Sequence, residues 1–137
     1  MSKLILAALV LSLLPIANIA AEEPMNHPSL DTTIGEGPNQ SVTKIYENAW
    51  TKLVQITIRN GATLAKHAAK EPVTIQCVAG EGTLVAGEER IALTPGVIVP
   101  LEPNVEHEVI ASPGVSVLVT RFLPAAPAAK TEHQHEH

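Results

Sequence analysis

A chain of 137 residues has room for one ordinary domain, and 45% apolar residues supply enough core to fold it. Its aromatics are Tyr46, Trp50 and Phe122 alone, too few for the stacked platforms that hold single-stranded nucleic acid. A formal charge of −5 disfavours phosphate backbones and anionic membrane surfaces, so no nucleic-acid partner is expected.

The chain opens with Lys3, an apolar run over 4–16, a small-residue stretch through Ala20-Ala21 and the charged pair Glu22-Glu23. That succession is the layout of a secretory signal peptide, assigned here to residues 1–21. The run is short for a ~30 Å hydrocarbon core, which takes about 20 apolar residues. Pro15 also suits a leader better than an anchor helix. Cleavage is expected after Ala20 or Ala21, although Asn18 and Ile19 depart from the small residues preferred three positions earlier. An uncleaved anchor is the alternative. Cleavage implies an exported protein, periplasmic or secreted, with no stable membrane anchor and with Lys3 gone. Cys77 is the only cysteine, so no intramolecular disulfide can form.

Residues 22–45 are polar and rich in turn formers (Pro24, Pro28, Gly35, Gly37, Pro38) and read as an extended arm that could add an edge strand. Residues 46–124 read as β throughout. Leu53 to Ile58 alternates apolar with polar and ends at Asn60-Gly61, a turn signal. Val73 to Val78 alternates again and ends at Gly80-Glu81-Gly82, read as a hairpin turn, while Thr83-Leu84-Val85 closes at Gly87. Val97-Ile98-Val99 lies between Pro95-Gly96 and Pro100. His107 to Ile110 stops at Pro113-Gly114, and Val115 to Phe122 makes a last long strand. Short strands at about ten-residue spacing with turns between them predict an all-β sandwich or small barrel. Val54, Ile56, Ile58, Ile75, Val99 and Val117 are the expected buried set. Cys77, in phase with Val73 and Ile75, reads as a small buried hydrophobe rather than a nucleophile. Residues 125–137 combine a flexible Ala/Pro linker with a tail carrying His133, His135 and His137 among acidic residues.

Two stretches of the β zone share a frame. In the first, Gly61 is followed by five residues, His67, Ala69, Lys70-Glu71-Pro72, Val73, six residues and Gly80. In the second, Gly96 is followed by five residues, Glu102, Pro103, Asn104, two residues, His107 and Ala111. This pairing resembles the two motifs of the cupin superfamily, with the spacing of its small single-domain, type-2-like members. Ala69 stands where those motifs carry a second His, Val73 where they carry a Glu, Glu102 at a Pro, Asn104 at a Gly and Ala111 at an Asn. Asn is the mildest replacement for a turn glycine because it tolerates positive φ. The resemblance implies a single small β-barrel of the double-stranded β-helix (jelly roll) type, covering roughly Trp50 to Phe122.

Residues two apart on a strand share a face, so His67 and position 69 would point together, and the resemblance makes that face the barrel lumen. His107 would enter the same lumen. Neutral imidazoles suit divalent transition metals such as Zn, Cu, Fe and Ni, and the resemblance adds Mn. Only two of the family's four ligands are present, and a valine replaces the carboxylate. Three readings remain open. His67 and His107 could be hydrogen-bonded residues of a structural or small-molecule-binding barrel. They could hold a metal completed by outside ligands. They could support metal-dependent dioxygenase or isomerase chemistry of the kind the resemblance implies. Gln76, Cys77, Glu102 and Glu106 are further candidate ligands, with Cys77 favoured by its phase. In the tail, His133, His135 and His137 at alternate positions could chelate a metal loosely, or serve no role. The resemblance also implies a possible homodimer, with the arm before Tyr46 as the segment that would add a strand.

Overall fold

A computed structural model describes residues 23–124 together with Val10, Ser12 and Leu13. The rest of the predicted leader, and the tail with His133, His135 and His137, lie outside the described residues. Among the described residues every regular element is a strand: β1 (Gln40–Glu47), β2 (Thr51–Ile58), β3 (Thr63–His67), β4 (Val73–Ala86), β5 (Glu89–Leu93), β6 (Ile98–Leu101) and β7 (His107–Phe122). They form one antiparallel sheet in the order β1-β2-β7-β4-β5, with β3 added to β7 and β6 added to β4.

The two long strands fold that sheet on itself. The first half of β4 pairs with β6 and with the second half of β7. The second half of β4 pairs with β5 and with the first half of β7. Gly80-Glu81-Gly82 is therefore not the hairpin turn expected from sequence, and Pro113-Gly114 does not end a strand. Both lie inside continuous strands at the point where these cross. A Cβ on Gly80 would sit 2.1 Å from the Gly114 carbonyl oxygen, and one on Gly82 would sit 2.6 Å from that of Ile110. The glycines are there because the backbones touch, which local sequence reads as a turn. Register shifts between Cys77 and Ala79 and between Gly80 and Gly82 mark bulges at the same place. They change the buried phase of β4 from Val73, Ile75, Cys77 and Ala79 to Gly82 and Leu84.

Other turns follow their residues. Asn60 and Gly61 both have positive φ (60° and 67°), and the Ala62 amide donates to the Arg59 carbonyl, as a type I′ turn requires. Gly87 alone is positive in the two-residue loop joining Ala86 to Glu89, the pattern of type II′. Asn104, at the turn-glycine position of the second motif, does adopt φ 65°. Two strands had no clear sequence signal. In β5 the charged Glu89-Arg90 hides an alternation that buries Leu93, and in β3 only Leu64 packs inward before an irregularity.

The core is aliphatic: Ile58, Ile75, Leu84, Leu93, Val109, Val115 and Val117 are each no more than 1% exposed. Ile58, Ile75, Val99 and Val117 are buried as expected, and so is Cys77. Val54 and Ile56 are not; they are only half-buried. The buried residues that alternate with them in β2 are the polar Gln55 and Thr57, on the opposite face. That face is covered by the arm. Gln55 donates to the Asp31 carbonyl and to the Ser116 hydroxyl (2.6 and 2.8 Å) while accepting from the Asp31 amide at 3.0 Å. The Thr57 and Ser116 hydroxyls share a further bond of 3.1 Å. The Arg59 guanidinium donates to the carbonyls of Ile34, Gly35 and Pro38 and to the Ser41 hydroxyl, tying down the arm's next turn. A single alternating strand thus buries both faces, one against aliphatic side chains and one against backbone polar groups.

Candidate functional site

The half-buried side chains of β2 border a cavity of roughly 350 Å³, lined by Lys52, Val54, Ile56, His67, Ala68, Ala69, Val73, His107, Val119 and Arg121. Strand register explains the set. Across β2 and β7, Lys52 lies opposite Arg121, Val54 opposite Val119, Ile56 opposite Val117 and Ile58 opposite Val115. Across β4 and β7, Val73 lies opposite Arg121 and Ile75 opposite Val119. Each row runs from a charged rim through half-buried aliphatics to a closed core.

His67 and His107 form the opposite wall. They are direct cross-strand partners on β3 and β7, their ring centroids 4.4 Å apart and their planes tilted by 57°. Their meeting depends on a break in β3. Ala62 and Leu64 pack against the core, so strict alternation would turn the odd-numbered His67 away from it. The register shifts between Leu64 and His67, and this bulge reverses the phase and brings His67 beside His107. β3 ends at His67, so Ala69 joins the wall through the following loop rather than by strand alternation. Its carbonyl accepts the Asn104 amide at 2.7 Å, which binds the two motifs together at that corner.

The rings are oriented by their own backbone. His67 Nδ1 lies 2.9 Å from the Ala65 carbonyl, and His107 Nδ1 lies 3.0 Å from that of Val105. A carbonyl only accepts, so in each ring Nδ1 carries the proton, and neutral rings then keep Nε2 as a free acceptor. His107 is 3% exposed. Burial pulls its pKa below the ordinary 6.5, opposed by the Val105 hydrogen bond and reinforced by the neighbouring His67. It is the neutral form that the site favours. At the rim, the Arg121 guanidinium is held by the Glu71 carboxylate. Lys52 makes no salt bridge among the described residues.

The other candidate ligands are elsewhere. Gln76, Cys77, Glu102 and Glu106 do not line the cavity. The Cys77 thiol points to the carbonyls of Ala79 and Gly80 at 3.6 and 3.9 Å, and burial raises its pKa. Among the described residues no three His, Cys, Asp or Glu side chains come close enough to hold a metal ion. Two imidazoles, with a valine at the carboxylate position and two cations at the rim, do not make a complete site for a divalent metal. Lys52 and Arg121 were missed as lining residues from sequence. The signal was available, because Lys52 is in phase with Val54 and Ile56, and Arg121 with Val117 and Val119.

No protein-family model matches the sequence, and no curated protein matches it. Solved structures do match in shape. A cupin superfamily protein from Desulfitobacterium hafniense superimposes with a TM-score of 0.64 at 11% identity, over 74% of this chain and 94% of the other. An RmlC-like cupin from Shewanella frigidimarina gives 0.60 at 21% identity, over 77% and 95%. This chain has the cupin fold. An RmlC-like cupin from Methanocaldococcus jannaschii, described as a double-stranded β-helix, gives 0.60 at 18% identity, over 73% and 92%. The expected barrel is therefore correct, and in cupin terms the cavity is the mouth of the barrel. Within that fold the cavity of this chain has an aliphatic and basic lining with two histidines.

Proposed function

We propose that this cupin binds a small organic molecule in the mouth of its barrel, with His67 and His107 accepting hydrogen bonds from its polar part. The cross-strand imidazole pair carries this reading, since both Nδ1 protons are committed to carbonyls and both Nε2 atoms remain available. Aliphatic walls favour an apolar ligand body, at about 25 cal/mol per Å² removed from water, and a few fixed polar groups then set orientation. The cavity is at the lower end of the ~300–1,000 Å³ usual for ligand pockets. Binding is proposed over turnover because no carboxylate, cysteine or hydroxyl side chain lines the cavity among the described residues. Dioxygenase or isomerase chemistry through His67 and His107 would need a donor set larger than two.

The two free Nε2 atoms favour one second reading, a transition metal completed by outside ligands. The two readings separate in a chain truncated after Pro124, which lacks His133, His135 and His137. Native mass spectrometry of that chain should find a co-purified small molecule, or uptake from a fragment mixture, that is lost in His107→Ala. One equivalent of metal, lost in His67→Ala and in His107→Ala, would replace the first reading with the second. Metal that departs with the tail would belong to the tail.

Export is part of the proposal, supported by Lys3 and the apolar run 4–16. An intact mass starting at Ala21 or Glu22 in the natively produced protein is the expected result, and a chain starting at Met1 would refute it. A homodimer joined along β1 is also proposed, supported by its position at the sheet edge and by the exposure of Val42 and Tyr46. Light scattering should report a dimer that Val42→Lys converts to monomer; a monomeric parent protein would refute it.

A further inference from the structure

We infer that the molecule taken up in the barrel mouth is a small apolar monocarboxylate, and that Lys52 holds its carboxylate. This inference rests on the small-molecule reading above and specifies the ligand's charge. Three observations carry it. Lys52 is half-buried at the rim, in strand phase with Val54 and Ile56, and lines the cavity with them. The other rim cation, Arg121, is directly opposite Lys52 and is already neutralised by Glu71. No carboxylate lines the cavity, and the acidic register partner of Lys52 on β1, Glu47, is bridged to Lys44 rather than to Lys52. The rim therefore holds one uncompensated positive charge, although the chain as a whole carries −5.

An anion arriving with an apolar body gains the attraction of that charge while burying its own surface against Val54, Ile56, Val73 and Val119. One spare charge selects a monoanion over a dianion. A dicarboxylate would have to displace Glu71 from Arg121 or leave its second charge against aliphatic walls. A neutral amide of the same shape would keep the apolar contacts and gain nothing from Lys52. His107, whose burial favours the neutral ring, adds no charge at the far wall, so the anion is drawn to the rim.

The test uses the full chain with benzoate, its neutral counterpart benzamide, and the dianion phthalate, followed by NMR shifts of the Val54, Ile56 and Val119 methyls. Benzoate should bind at least ten-fold more tightly than either of the others, and added salt should weaken it. Lys52→Met should bring benzoate down to benzamide, and Lys52→Arg should preserve the difference. Circular dichroism on both variants confirms that the fold is intact, and a lysine at the strand end is not needed for the core. If benzamide binds the methyl-lined cavity as well as benzoate does, the charge assignment is wrong while the small-molecule reading stands. The charge assignment fails equally if the carboxylate advantage survives Lys52→Met. If no probe moves these methyls, both readings fall.

Discussion

The two ends of the barrel interior are built from the same strands and the same alternation, yet only one end is closed. Along β2 the inward row runs Lys52, Val54, Ile56, Ile58, and along β7 it runs Arg121, Val119, Val117, Val115. Ile58, Val117 and Val115 are at most 1% exposed, whereas the first members of each row are only half-buried. A valine in this barrel is thus core or pocket wall according to what covers it. The closed end is covered because β4 and β7 cross there at glycine contact distance, bringing Leu84, Leu93 and Val109 against Val115 and Val117. The mouth has no such crossing, and His67, Ala68 and Ala69 are part of its lining.

The largest expected effect comes from separating the crossing strands. Gly80→Ala combines a positive φ of 72° with a Cβ that would meet the Gly114 carbonyl, and should cost about 3 kcal/mol or more. Gly61→Ala has a similar φ and nothing within 4 Å, so it isolates the conformational part, about 1–2 kcal/mol. Equal losses in chemical denaturation would show that the crossing does not close the barrel.

Core truncation tests the comparison more directly. Leu84→Ala should cost about 2–5 kcal/mol, and Ile75→Ala the same. Ile56→Ala and Val54→Ala, on the same face but in the mouth, should each cost about 1 kcal/mol, since less of the side chain leaves water on folding. If the mouth residues are as costly as the core ones, the cavity is filled in solution and the proposed site is lost.

The smallest effect is in pH. The folded pKa of His107 is below the unfolded value near 6.5, so the unfolded chain binds the proton first. Stability should be full well above pH 6.5 and should fall as pH drops through 6.5 toward the lower folded pKa. Asp31, whose folded pKa is lowered by its hydrogen bonds to Thr33, loses stability in the same direction but only toward pH 3.8 and below. His107→Gln should flatten the upper part of the curve and leave the lower part. An unchanged upper part would mean that His107 is solvated, and the mouth more open than the closed end by more than the cavity alone implies.

The fold class was legible in the sequence because alternation and turn chemistry are local. Asn60-Gly61 specifies a type I′ turn by its two left-handed residues, and Asn104 could be assigned positive φ at the position of a missing glycine. The two histidines were also legible, through a motif frame that survived substitution at five of its positions. Strand continuity was not legible, because Gly80, Gly82 and Gly114 serve a contact between segments about thirty residues apart, and a glycine needed for close approach looks the same as one needed for a turn.

The sequence by itself determined that this chain would be a β-barrel with His67 and His107 as candidate site residues, since those properties depend on period, spacing and residue type. Only the tertiary structure decided which inward residues are core and which are site. Bulges after Cys77 and after Leu64 shift the side-chain phase by one position, and a one-residue shift reverses the face. That reversal carries β4 from Cys77 to Leu84 without exposing its core and brings His67 beside His107, while the pairing of β2 with β7 sets Lys52 and Arg121 side by side at the rim of an opening that no local pattern records.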